Sequence, residues 1–429
     1  MEVRDPIHGA IGVTEQEVPI LDHPFVQRLR NIKQVGFSEL PFPGAVHSRY
    51  NHSVGVMHLA GRAFDAAYRD HLFSAPAVRE NYRMAVRFAA LLHDVGHAPF
   101  SHCTEFAMPP LASLDIQVYD PAVLSARGPL RATHEDYTVG ILTLSSLAES
   151  LRTGLPFTPR HIAALISREV TLDDDFFQDG GLDHRLALSQ LISSELDVDR
   201  LDYLVRDSYF SGARYGMVDV NWLVSNLGLH VQDDQVSLAL NRRAIYAFDD
   251  FMVARYHMFV MVYFHHKSVV FEEMLKRYFL APDCPYALPA DMEAYLTVDD
   301  VQLFAHLRQT DDPWARAVVE RRPWKRVLEV HGTPAEVDTS AAEGRLRDAG
   351  LDVLAAGSVG KLSRYAVFGQ KRASAPPIYV VDDSPGHARS VAPLQEATRI
   401  FQRYEDERQI ARLYVDPADV AVAQAVLGG

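Results

Sequence analysis

The sequence predicts a mainly α-helical protein, with a large helical body over residues 1–325 and a small α/β appendage over residues 326–429. Three observations lead there. At 429 residues, 48% of them hydrophobic and with no polar low-complexity tract, the chain exceeds one ordinary core and can bury a sizeable interior. Helical apolar spacing recurs through the first three quarters of the chain. After about Pro323 short apolar runs alternate with amphipathic ones, the order of a small α/β unit.

The elements follow in order. Over residues 17–36, Phe25, Leu29 and Ile32 lie on one stripe, which predicts a helix with Asp22 placed to cap it. Pro41, Pro43 and Gly44 punctuate a loop at 39–44. Helices are predicted over 49–68 and 79–95, and Gly96 with Pro99 forces a break after the second. Helical patterns continue near 133–152, 159–168, 184–209, 219–225 and 244–279. Residues 236–240 alternate, as one strand of a short hairpin does. In the appendage the reading is strand 327–330, helix 341–349, strand 378–381, helix 394–401 and strand 410–415, with no internal repeat.

Composition excludes several classes. Against 42 Lys and Arg stand 56 Asp and Glu, a formal charge of −14, so the surface repels polyanions and argues against nucleic acid as a partner. An anionic substrate then needs a metal or a locally basic pocket. Cys103 and Cys284 are the only cysteines and form no CxxC pair, which excludes a disulfide framework and leaves two reduced thiols. The N-terminus shows no secretory signal, and no run approaches the ~18 apolar residues of a membrane span. The expectation is a soluble cytoplasmic protein without a membrane partner.

The chemistry concentrates in Leu91-Leu92-His93-Asp94-Val95-Gly96-His97. Neighbours on a helix diverge by about 100°, so His93 and Asp94 reach one ion only if it sits off the helix end or side, which the Gly96 break permits. His52 lies upstream in Arg49-Tyr50-Asn51-His52-Ser53, and Asp199 downstream in Asp197-Val198-Asp199-Arg200-Leu201-Asp202-Tyr203. Any one of these histidines alone reads as a hydrogen-bonded core residue; the joint pattern reads as a metal site. Imidazole and carboxylate without thiolate select a divalent ion of the Mn, Mg, Fe, Co or Zn group. His97 and His102 add imidazoles that titrate near neutrality. His134 follows Thr133, a possible N-cap, and stands equally as a surface or a site residue. Asp199, Tyr203 and Asp207 fall at i, i+4 and i+8 with Arg200 at the edge of that face. Together with Asp202 and Arg206 they could form a solvated, salt-bridged face. The alternative is a sugar-phosphate face, in which cation meets phosphate, carboxylate meets hydroxyl and ring packs on sugar.

The segments Asp5-Pro-Ile-His-Gly9, Gln27-Arg-Leu-Arg30, Ile32-Lys-Gln34, Phe42-Pro-Gly-Ala45, His52-Ser-Val-Gly55, Leu92-His-Asp-Val-Gly-His-Ala-Pro-Phe-Ser-His102 and Asp197-Val-Asp-Arg-Leu-Asp-Tyr203 closely resemble the HD-domain deoxynucleoside triphosphate (dNTP) triphosphohydrolases. The resemblance covers about residues 1–280, and more faintly 377–380 and 412–415. It implies an HD-domain helical catalytic core in which His52, His93, Asp94 and Asp199 hold one divalent metal. It further implies His97, Glu105 and His134 as catalytic residues, with Glu105 where the vertebrate enzyme has Asp. His102, Arg49 and Arg200 would contact phosphates, Arg200 replacing a Lys, a change of geometry at constant charge. Gln34 and Asp207 would hold the sugar 3′-hydroxyl, Tyr203 would pack on C2′, and Arg255 and Tyr263 would supply further phosphate and sugar or base contacts. Asp22, Gln27 and Arg30 match part of a guanine-nucleotide activator pocket for dGTP or GTP, from which Arg4 departs. The family assembles as dimers or tetramers, so a homo-oligomer is expected. Two rival readings remain: another HD reaction, on a phosphodiester or phosphomonoester, and a nucleotide-sensing or nucleic-acid-binding protein without turnover.

Overall fold

A computed structural model of the chain describes residues 1–360, 376–384, 388–403 and 408–428, and the protein is mainly helical. Six helices carry or frame the site: α1 (Arg49–Ala67), α2 (Pro76–Leu92), α3 (His134–Leu144), α4 (Val198–Ser211), α5 (Ile245–Met258) and α6 (His266–Phe279). α1 buries residues on nearly every side, including Val54, Met57, Leu59 and Phe64, as the central helix of a large core does. α2 packs along it, opening with Pro76 in its first turn, where a missing N–H costs nothing, and ending at Leu92. His93 is thus the C-cap, and the His-Asp pair leaves the helix end. Gly96 explains the break, because a Cβ there would lie 2.2 Å from the carbonyl oxygen of His134 and 2.3 Å from the nitrogen of Thr138. Only glycine seats this turn on α3. Thr138 Oγ1 accepts the Gly96 N–H at 3.0 Å and donates to the His93 carbonyl at 2.9 Å.

Several predicted long helices are broken. The segment at 17–36 divides into Val18–Leu21, Pro24–Arg28 and tight turns at Leu29–Asn31 and Gly36–Glu39. Pro19 and Pro24 each start a new helix, since proline cannot continue the preceding one. Asp22 closes the first of these through its backbone N–H, and the ring of His23 caps the next. The pattern at 133–152 restarts at Ser145, which caps Ser146–Leu151. That at 184–209 divides into Arg185–Ile192 and α4, whose N-cap is Asp197. Between α5 and α6 the chain makes a π-helical turn at Phe259–Tyr263, a feature frequent at functional sites. Three short helices over 292–319, absent from the sequence reading, begin after Asp291, Asp299 and Asp312, each capping by its carboxylate.

The hairpin forms as Leu227–Gln232 and Gln235–Asn241, with Asp233 and Asp234 both left-handed in the turn. Its second strand also pairs in parallel with Tyr379–Asp382, which pairs antiparallel with Ser390–Pro393. Residues 376–384 and 388–403, grouped by sequence with the appendage, are therefore built into the body. Ile378, Val380, Leu394 and Ile400 lie in its core, and the Gln190 amide donates to the carbonyls of Pro376 and Pro377. The helix predicted at 394–401 is two short ones, Leu394–Ala397 and Ile400–Arg403. What remains is an antiparallel sheet in the order Lys325–Gly332, Arg408–Val415, Leu354–Gly360. Ser340–Asp348 and Val420–Gly428 pack on it around Leu346, Val353 and Leu413. Leu354, Ala356 and Tyr414 turn toward α6.

Candidate metal centre

Three helix ends meet at one point. α1 brings His52 from its first turn, the end of α2 brings His93 and Asp94, and the first turn of α4 brings Asp199. His52 Nε2 lies 3.1 Å from Asp199 Oδ1 and 3.7 Å from Asp94 Oδ2; His93 Nε2 lies 3.3 Å from Asp94 Oδ1 and 3.7 Å from Asp199 Oδ1. The two rings meet edge to face, centroids 5.3 Å apart. Both Nε2 atoms are buried and have no hydrogen-bond partner among the described residues.

The opposite side of each ring explains why. His93 Nδ1 donates to the Ala90 carbonyl at 2.7 Å and His52 Nδ1 to the Asp202 carboxylate at 2.8 Å. Both acceptors lack a proton to give, so the Nε2 lone pairs point inward, the tautomer that ligates a metal. Burial opposes ionisation of Asp94, but His93, Arg49 and His97 hold it well below the usual carboxylate range. Burial likewise opposes charge on His52, yet Asp199 and Asp202 push it up to about 10. A proton thus compensates the carboxylates, and a divalent ion competes with that proton for the same lone pairs. His52, His93 and Asp94 lie close enough together to hold such an ion, and Asp199 Oδ1, 3.1 Å from His52 Nε2, stands beside them.

A second layer holds the ligands. Asp202, which contacts His52, also accepts from His8 at 2.6 Å and from two guanidinium nitrogens of Arg206 at 2.7 and 2.9 Å. Arg206 reaches on to Asp5 at 2.8 Å, whose other oxygen takes the N–H groups of Ile7 and His8. Asp202 and Arg206 are fully buried, so the solvated-face alternative does not hold for them. Gly55 makes room for them, since a Cβ there would sit 2.1 Å from Asp202 Oδ1. None of His8, Asp202 and Arg206 stood among the sequence candidates, although the i, i+4 spacing of Asp202 and Arg206 signals their pairing. Arg28 was missed as well. Buried beneath the His-Asp turn, it donates to the carbonyls of Val95, His97 and Val298.

Beside the ion ligands lies a second histidine group. Arg49 donates to Asp94 Oδ2 at 2.5 Å and to Ser101 Oγ at 2.7 Å. His97 Nε2 is 3.3 Å from Asp94 Oδ1, and its ring stacks on His134 at 3.9 Å. His102, largely exposed, sets its edge against both. Glu105 Oε1 takes the ring Nδ1–H of His134 at 2.7 Å and its backbone N–H at 3.0 Å, while Oε2 takes His102 Nδ1 at 3.0 Å. The longer acid therefore reaches both histidines. Thr133 does cap α3, in a capping box with Asp136, and that cap aims His134 at Glu105. Burial and Arg49 push His97 well below its ordinary pKa; for His134 burial acts the same way but Glu105 outweighs it and raises the pKa.

The remaining predicted contacts divide. Asp207 accepts from the Tyr263 hydroxyl and from His47 Nε2, each at 2.7 Å. The Gln34 N–H donates to the His47 carbonyl, and Gln34 Oε1 is buried without a partner among the described residues. Tyr203 meets Tyr263 edge to face. Gln34, Tyr203, Asp207 and Tyr263 are thus linked, through His47, which the sequence reading missed. Arg255 pairs with Glu195 and lies over the ring of Phe259. Arg200, expected on phosphate, is buried and bonded to the Asp197 carboxylate and the Ser194 carbonyl. Its guanidinium braces the start of its own helix. Asp22 is exposed; Gln27 binds the Leu21 carbonyl; Arg30 binds Gln27 and stacks at 3.6 Å on Tyr50, next to Arg49.

Residues 49–207 match the HD domain and residues 218–355 an HD associated region. YwfO of Bacillus subtilis is 32% identical over 264 residues, 61% of this chain and 51% of that one. The human deoxynucleoside triphosphate triphosphohydrolase SAMHD1 is 25% identical over 359 residues, 77% of this chain and 54% of the human one. The chain spans about half the length of these curated relatives. A crystal structure of a hypothetical protein from Aquifex aeolicus shares the fold, with a TM-score of 0.73 at 24% identity over 100% of this chain and 99% of that one. The chain is an HD-domain protein, related to the deoxynucleoside triphosphate triphosphohydrolases that carry this domain.

Proposed function

We propose that the protein hydrolyses dNTPs to deoxynucleoside and inorganic triphosphate. The observation that carries this reading is the adjacency of three groups: the ion ligands, the Arg49–His97–His134–Glu105 set joined to them through Asp94, and the Gln34–His47–Asp207–Tyr263 chain of contacts. His52, His93, Asp94 and Asp199 would hold a divalent ion, which would supply Lewis acidity and a more acidic water. Arg49 and His102 neutralise and orient phosphate oxygens. Glu105 raises the pKa of His134, which gives a proton to the departing 5′-oxygen, while His97, held below its ordinary pKa, packs against it. Gln34 Oε1 and Asp207 receive the 3′-hydroxyl, and Tyr203 stands against C2′, where a ribose hydroxyl would collide. Arg255 and Tyr263 complete the phosphate and sugar sides. Arg200 serves by holding the helix that presents Asp199. Asp22, Gln27 and Arg30 form part of a dGTP or GTP activator site in a homo-oligomer. Among the described residues no helix is long and apolar enough to cross a membrane.

The test is product analysis on the four dNTPs with Mn and with Mg, with and without dGTP. Free deoxynucleoside and tripolyphosphate are expected. Monophosphate with pyrophosphate, or turnover of cyclic nucleotides in place of dNTPs, contradicts the reading and gives the site to another HD reaction. A rate unchanged by dGTP and GTP removes the activator site alone.

A further inference from the structure

A separate cluster lies where the chain leaves the far end of α1. His71, Asp179 and His184 each bring one ligand atom within 4.8 Å of the others. Tyr68, beside this cluster, follows His52 by 16 residues, so about 24 Å of helix separates it from the metal centre. The imidazole rings of His71 and His184 cross at 73°, centroids 4.8 Å apart. His184 is fully buried, with 0% of its surface exposed, and the Nε2 atoms of both histidines are buried without a hydrogen-bond partner among the described residues. Burying two polar nitrogens unpaired costs stability and calls for a ligand. The Tyr68 hydroxyl oxygen lies 3.3 Å from His184 Nδ1, placed to accept its proton and turn the Nε2 lone pair inward. Asp179 accepts the N–H and the hydroxyl of Ser74 and keeps carboxylate lone pairs to offer. The rings of Tyr68, Phe73 and Tyr82 wall off His184.

We propose that His71, Asp179 and His184 form a second metal site, which takes a divalent transition ion of the zinc type. Two imidazoles and one carboxylate are a three-ligand zinc set, and a water or the neighbouring Ser74 hydroxyl supplies the fourth position. The ion would tie the turn after α1 to the strand Gln178–Asp179 and to the start of Arg185–Ile192. Those segments lead from His52 and toward Asp199, so the second ion braces the scaffold of the first without entering the reaction.

Anomalous diffraction at the zinc edge, from crystals of the full chain grown with Zn²⁺, locates the ion. A peak bounded by His71 Nε2, His184 Nε2 and Asp179 is expected, distinct from any at His52, His93, Asp94 and Asp199. In solution, Asp94→Ala protein should still bind Zn²⁺ and melt at a higher temperature with it. Adding His71→Ala, a half-buried position, should weaken that binding by at least about 100-fold. A map with no peak at the three residues, or Zn²⁺ affinity unmoved by His71→Ala, overturns the proposal. Neither outcome depends on which nucleotide the protein hydrolyses.

Discussion

Two histidine groups flank Asp94 and are finished differently. In His52 and His93 the Nδ1 atoms are tied to Asp202 and to the Ala90 carbonyl, so the Nε2 lone pairs converge on two carboxylates. In His97, His102 and His134 the rings pack on one another; Glu105 is occupied by the Nδ1 atoms of His102 and His134, and His97 alone reaches Asp94, at 3.3 Å. Both groups are compact enough to hold an ion. The difference teaches that an imidazole becomes a metal ligand or a proton carrier according to what its far nitrogen is bonded to and how many carboxylates face the near one.

The contrast can be broken most severely at Asp94. Asp94→Ala should lose the ion and lower turnover by about a thousandfold or more, several kcal/mol of charge stabilisation, as read by metal content and steady-state rates. His134→Ala should lower kcat by roughly a hundred- to ten-thousandfold, the scale of a general acid, while metal content stays at the wild-type level. Loss of the ion in this variant would merge the two groups into one. Asp202→Asn should weaken metal affinity by roughly 10- to 100-fold, with kcat recovering as metal is added. Burial resists ionisation of Asp202, but Arg206, His52 and His8 hold its pKa well below the usual range. Its stabilisation is therefore complete above the unfolded carboxylate pKa and is lost as pH falls toward the folded one, so acid should cost the wild type more stability than the variant. Glu105→Gln sharpens the comparison with the smallest effect. Burial lowers the His134 pKa and Glu105 raises it, so the glutamine variant lowers it. Since kcat falls as pH rises through the pKa of the acid, its decline should start at a more acidic pH in the variant. An unmoved limb would mean that Glu105 does not set the protonation of His134.

How much was legible in the sequence follows the same division. The four candidate ligands were legible because each sits near a helix end in a recognisable segment, with Gly96 after the His93-Asp94 pair and an apolar run beside it. Their support was not, because Asp202 meets His8 across 194 residues and Asp5 meets Arg206 across 201, contacts that only the assembled core brings together. Arg200 shows the limit of face-counting. Its position on the helix was right for a substrate contact, but the cap residue three positions earlier claims its guanidinium. The strand near 378–381 was recognisable as a strand, yet its place beside Gln235–Asn241 depends on a parallel pairing that local pattern does not encode.

Pulsed electron paramagnetic resonance of the Mn²⁺-loaded protein tests the division between the groups most directly, since it counts imidazole nitrogens on the ion. Two imidazoles are predicted, with couplings unchanged in His97→Ala and His134→Ala and lost from this centre in His52→Ala. A third imidazole, or couplings that vanish in His97→Ala or His134→Ala, would place the ion in the other histidine group and contradict the account.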